Sequence, residues 1–121
     1  MVSHIVLFRP RPNLTENDRQ ALADALDRAL RTIPSVRRVR LGRRITHGRG
    51  YESAMAEDLS FAAVIEFDDL AGLQAYLRHP AHEALGARFR DLVEAGLIYD
   101  FEMTDLSGVE RLLQTARQAR P

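Results

Sequence analysis

The sequence predicts an α+β domain built on one four-stranded antiparallel sheet with helices on a single face. Three observations carry that prediction. The elements run β, α, β, β, α, β along the 121 residues. The first and third strands are apolar on both faces, as central strands are, and the second and fourth alternate apolar with charged residues, as edge strands with one wet face do.

Ser3 to Arg9 is the first strand, because Ile5-Val-Leu-Phe8 is contiguous and Pro10 and Pro12 stop it. Thr15 with Asp18 has the pattern of a capping box, the acid also complementing the helix dipole. Leu22, Ala25, Leu26, Ala29, Leu30 and Ile33 then recur at helical spacing until Pro34 ends the helix. From Val36 to about Ile45 a strand alternates Val39 and Leu41 with Arg38 and Arg40. Gly42, Gly48 and Gly50 break the regularity, and Thr46 to Asp58 is expected to be a long loop. Leu59 to Phe67 is the third strand.

Asp68 or Asp69 caps a short helix carrying Leu70, Leu73 and Leu77, which ends near His79 because Pro80 disfavours helical geometry in the residue before it. Pro80 opens the next helix at its first position; Ala81, Leu85, Phe89, Leu92 and Val93 make its apolar face, and Gly96 is placed to end it. In the last strand, Leu97 to Met103, the residues Leu97, Tyr99, Phe101 and Met103 share a face opposite Asp100 and Glu102. Ser107 with Glu110 resembles a second capping box, and Leu106, Val109, Leu113 and Ala116 give an amphipathic tail helix. Residues 1–104 are thus expected to form the domain and 105–121 a helical extension.

This order is the split βαβ arrangement of ferredoxin-like folds, with strands one and three central. Helices cover one face only, so apolar residues on the other, from among Ile5, Val6, Leu7 and Phe8, need a partner. A second copy packed sheet to sheet supplies it and closes a dimeric α/β-barrel.

Composition narrows the function. Basic and acidic side chains balance at 17 each, so no net field draws the chain to nucleic acid or an anionic membrane. All the basic residues are Arg, and the stretch from Arg37 to Arg49 has no interleaved aromatics, the pattern of a solvated edge strand. The chain has no Cys, which excludes disulfides, thiolate catalysis and thiolate metal sites. Its apolar run near the start is too short for a signal core or a membrane span, so a soluble cytoplasmic protein is expected. No metal site is expected either: Pro80 interrupts the helix between His79 and His82, and no carboxylate sits at ligand spacing.

The residues also carry a family likeness: His4-Ile-Val-Leu-Phe8, Ile33-Pro34, Ala62-Ala-Val-Ile-Glu-Phe67, and above all Tyr76-Leu-Arg-His-Pro-Ala-His82. With these the sequence resembles the stress-responsive dimeric α/β-barrel (Dabb) family over roughly residues 2 to 103. The resemblance implies a small homodimer with a pocket between sheet and helices, and for most members no established activity. A minority, including plant polyketide cyclases, use a His pair for cofactor-free, aldol-type ring closure. The positions matching that pair are His4 and His82, with Tyr76 matching a pocket tyrosine. Where the plant cyclases place another tyrosine on the first helix, this sequence has Leu26.

Helical geometry independently places His82 within the apolar arc of its helix, between Phe89 and Val93. If His4 points to the same layer, two imidazoles meet in one cavity, where a neutral His acts as a general base. The plainer alternative is that His82 satisfies a backbone group and His4 is a hydrogen-bonded core histidine. His79 is assigned a structural role at the helix junction, and Tyr76 either orients a ligand or simply packs. Two functions follow, with no cofactor in either. One is a stress-responsive dimer with a pocket for a small hydrophobic or carbonyl-containing molecule, its physiological role unassigned; the other is a cyclase or lyase with His82 as base, His4 as acid and Tyr76 orienting the substrate. A cofactor-free monooxygenase follows by analogy of fold alone.

Overall fold

A computed structural model describes the backbone of residues 1–118 and the side chains of residues 1–114. The chain runs β1 (Val2–Pro10), α1 (Glu16–Thr32), β2 (Arg38–Arg43), α2 (Gly50–Ala54), β3 (Phe61–Phe67), α3 (Leu70–Arg78), α4 (Pro80–Leu92) and β4 (Val93–Glu102), followed by a 3₁₀ turn (Leu106–Gly108) and α5 (Val109–Gln118). The four strands form one sheet in the order β2-β3-β1-β4, every pairing antiparallel. The ferredoxin-like arrangement expected from the burial pattern is therefore present, with β1 and β3 central.

Local signals account for most boundaries. The Asp18 backbone N–H donates to Thr15 Oγ1 and the Thr15 N–H to Asp18 Oδ2, so the capping box exists. Asp69, not Asp68, caps α3 by accepting from the Gly72 N–H at 2.9 Å. The second strand is shorter than expected as a ladder, yet the Arg37 N–H bonds to the Glu66 carbonyl and the Arg44 N–H to that of Ser60, extending the pairing by one residue at each end.

Three expectations need correction. Gly96 does not end α4, which stops at Leu92; it lies inside β4, opposite Phe8. A Cβ at Gly96 would stand 3.4 Å from both the Leu7 carbonyl oxygen and the Phe89 ring, so the missing side chain lets Phe89 lie against the sheet, its ring edge-on to Phe8 at 5.3 Å. The tail helix is introduced by Asp105, whose carboxylate accepts from the Ser107 N–H, and not by a Ser107–Glu110 box. The loop from 46 to 58 contains the short α2, where Glu52 accepts from the backbone N–H groups of His47, Gly48 and Arg49. Burial pushes the Glu52 carboxyl upward, but those three amide donors outweigh it and hold the group below its usual range.

Register assigns the faces. Phe8, Ala63, Ile65 and Phe67 turn toward α1, α3 and α4 and join Leu22, Ala29, Leu73 and Leu85 in the core. Ile5 and Leu7, rather than Val6 and Phe8, occupy the face without helices, opposite Tyr99 and Leu97 of β4. Tyr99 is 55% exposed there and Phe101 47%. Leu106, Val109, Leu112 and Leu113 of the tail are exposed as well; the Ala116 side chain lies outside the described residues.

Phe67 is fully buried, so Phe67→Ala should remove about 3–5 kcal/mol of stability, whereas Asp69→Ala, which loses one exposed cap, should cost about 1 kcal/mol. Urea midpoints of the two variants check this ranking; equal losses would contradict the assignment of the core.

Candidate acid–base site between the sheet and the helices

The functional side chains come from three elements whose meeting is set by one joint. Helix α3 stops because His79 precedes Pro80, and Pro80 then opens α4. The His79 N–H donates to the Tyr76 carbonyl at 3.2 Å, and His79 Nδ1 accepts from the Ala81 N–H at 3.0 Å. His79 thus serves the joint, the structural role expected of it. The tight turn brings Tyr76, on the last turn of α3, against His82, on the first turn of α4, with ring centroids 4.7 Å apart.

His4 enters from the sheet. On the central strand β1 it is flanked by Ile65 of β3 and Asp100 of β4. It is 5% exposed, and its Nδ1 stands 2.5 Å from Asp100 Oδ1. An ionised carboxylate only accepts, so the hydrogen resides on Nδ1 and Nε2 is the free edge of the ring. The Tyr76 ring stands edge-on to His4 at 5.8 Å, so it neighbours both imidazoles.

All three residues line one cavity of about 240 Å³, the space of roughly eight waters. Its other walls are mainly apolar: Val6, Leu22, Leu26, Ile65, Leu85 and Phe89. Leu26 makes the α1 side of that wall apolar. Ile98 and Arg90, both exposed, stand at its edge. The two histidines and the tyrosine singled out from sequence therefore share one space.

The sequence does not single out Asp100. Alternation put it on the side of β4 opposite Tyr99, which is correct, but that side faces the helical layer, and only the β1–β4 register shows that it meets His4. Among the described residues no group of three or more His, Cys, Asp or Glu side chains is placed to hold a metal ion.

Electrostatics separates the roles. Burial lowers the His82 imidazole below its usual value, the neighbouring His4 ring acts in the same direction, and the Leu77 backbone and Glu83 oppose them. His82 is therefore kept neutral. Burial alone pushes the Tyr76 phenol up to about 12, so it remains a hydrogen-bond donor at ordinary pH. A histidine with a lowered folded pKa binds fewer protons in the fold than in the unfolded chain, so its contribution is lost as pH falls below about 6.5 toward the folded value. His82→Gln should accordingly flatten the fall of stability on acidification, as read from urea midpoints over a pH series. An acid limb of unchanged slope would contradict a neutral His82.

A family model described as the stress-responsive A/B barrel domain matches residues 2–103. Olivetolic acid cyclase of Cannabis sativa is 23% identical over 100 residues, covering 83% of this chain and 94% of that protein. Among solved structures, hydroxynitrile lyase of Passiflora edulis aligns with a TM-score of 0.72 at 14% identity, over 86% of this chain and 94% of its own. A dimeric ferredoxin-like protein of unknown function from Thermobifida fusca aligns with a TM-score of 0.65 at 24% identity, over 84% and 90%. These structures share the fold, while the family model spans everything from β1 through β4. On that match the chain belongs to the stress-responsive A/B barrel domain (Dabb) family.

Proposed function

We propose that two copies of this chain pack sheet to sheet, and that each cavity takes a small, largely apolar carbonyl compound on which it performs cofactor-free acid–base chemistry of the lyase or cyclase type. The observation that carries the proposal is a neutral His82 and a carboxylate-held His4 opening onto one apolar cavity, with a phenol donor beside both.

In this scheme His82 removes a proton from the carbon beside the carbonyl. The C–H electron pair moves into the carbonyl, and the developing oxyanion receives a hydrogen bond from the Tyr76 hydroxyl. His4, turned by Asp100, presents Nε2 and when protonated gives its proton to the oxygen. The enol carbon then attacks a second carbonyl; the enol proton returns to His4 as the C–C bond forms, and protonated His82 gives its proton to the new alkoxide, restoring both histidines. A cyclase among the relatives supports this class of chemistry, and Leu26 argues for a ligand different from that of the plant cyclases.

The pairing of sheets rests on the uncovered face. Leu97, Tyr99 and Phe101 make an exposed apolar stripe beside Ile5 and Leu7, which a second sheet would bury. Tyr99→Glu combined with Phe101→Glu should convert a dimer into a monomer in sedimentation velocity at micromolar concentration. A wild-type chain that sediments as a stable monomer there would refute the barrel.

The chemistry is tested by deuterium exchange at the carbon beside the carbonyl of medium-chain methyl ketones, followed by proton NMR. Exchange should fall at least a hundredfold in His82→Ala and about a hundredfold in Tyr76→Phe, and about tenfold in Asp100→Asn, which holds only the ring. Exchange unchanged in His82→Ala would remove the base. Saturable binding of the ketones without any exchange would make the protein a ligand-binding dimer instead.

A further inference from the structure

The cavity has one arginine at its edge that forms no ion pair among the described residues. On α4, residues His82, Gly86, Phe89 and Arg90 fall on the same helical face, four, seven and eight positions from the first, and all four line the cavity. Like several other exposed arginines, Arg90 forms no ion pair among the described residues, but unlike them it stands at the cavity edge. Its guanidinium does not extend outward along the helix. Nη1 folds back over the preceding turn, 3.7 Å from where a Cβ on Gly86 would stand. That separation is ordinary van der Waals contact, so the Arg90 side chain lies along the Gly86 surface of its own helix.

From this geometry we infer that the site selects a carbonyl compound bearing a carboxylate, and that Arg90 reads the carboxylate. The inference rests on the acid–base reading of the cavity and adds the substrate class to it. An exposed arginine in the last turn of a helix also complements the helix dipole, but that role needs no particular side-chain direction. Here a planar fork stands at the mouth of a low-polarity space, where a bidentate partner is worth more than in bulk water. Position also sets a length. Gly86 lies one helical turn beyond His82, so the anion and the carbon facing the base are separated by about 6 Å along the axis. The carboxylate therefore sits several bonds from the reacting carbonyl, as in a γ-keto or δ-keto acid, and not next to it as in an α-keto acid.

The test compares deuterium exchange beside the ketone of γ-acetylbutyrate, its methyl ester and α-ketobutyrate. The wild type should exchange γ-acetylbutyrate with a kcat/KM about tenfold above the ester, the difference lying mainly in KM, and should handle α-ketobutyrate poorly. Arg90→Gln should erase the preference by weakening the acid alone, and Arg90→Lys should restore part of it. Since Arg90 is exposed, neither variant should shift the urea midpoint appreciably. Equal exchange of acid and ester by the wild type, still dependent on His82, would overturn the carboxylate site and leave the acid–base site standing. If no ketone is exchanged, the acid–base reading fails by itself. The carboxylate site is then judged by amide shifts at Gly86 and Arg90 on adding γ-acetylbutyrate: saturable shifts lost in Arg90→Gln support it, and their absence overturns it.

Discussion

A titratable ring on the middle strand of a sheet has to find a polar partner, and the bond between His4 and Asp100 is the contact on which the arrangement of this protein turns. Strand β1 has neighbours on both sides, but Ile65 on β3 offers His4 nothing to bond. Only the edge strand β4 supplies an acceptor. Because side chains alternate along a strand, seating Asp100 on the helical side sends Leu97, Tyr99 and Phe101 to the other. One register thus does two things at once: it orients an imidazole in the cavity and it lays an apolar stripe on the bare face. A slip by one residue would reverse both, burying Tyr99 under the helices and leaving His4 unpaired.

The second determinant is the joint between α3 and α4. His79 and His82 are three positions apart, yet they work in different directions because Pro80 forces a new helix to start between them. His79 falls outside that helix, where its ring accepts a backbone N–H; His82 falls inside its first turn and turns toward the sheet. The same interruption sets the Tyr76 ring at a tilt against both His82 and Phe67, so the ring is held by aromatic packing. The site is consequently held by rigid elements on every side: β1 for His4, β4 for Asp100, and a two-helix corner for the rest.

The parts of this structure that sequence makes legible are those decided locally. Thr15 and Asp18, the Leu22 to Ile33 stripe, Pro80 and the doubly apolar strands each act within a few residues, and each leads to the observed element. Gly96 misleads because a glycine serves two purposes; helix termination is local, but clearance for Phe89 against Leu7 depends on a strand almost ninety positions earlier in the chain. Helix α2 is hidden because its first turn is capped by Glu52 reaching back to three amides, with Arg49 at the cap position where Ser, Thr, Asp or Asn would have signalled a start. Asp100 is legible as a residue on the opposite side from Tyr99 and illegible as a partner of His4, since pairing register is a long-range property. The same holds for Arg90, whose place at the cavity edge depends on how α4 packs against the sheet.

The cavity itself is the least economical feature of the fold. Its walls are Leu22, Leu26, Leu85 and Phe89, side chains that would gain contact energy by closing on one another, and a larger residue at Gly86 would fill part of the space. A domain of this size has only several kcal/mol of net stability to set against such a void. The polar groups around it point the same way. Burial holds His82 neutral and holds the Tyr76 phenol far from ionisation, and a core selected for stability alone would carry apolar residues of similar volume at both positions. An unfilled space, a buried phenol and a buried imidazole on the central strand are each unfavourable when judged by packing. Together they are the features that the proposed proton transfer would use, and they cost stability that a fully packed core would keep.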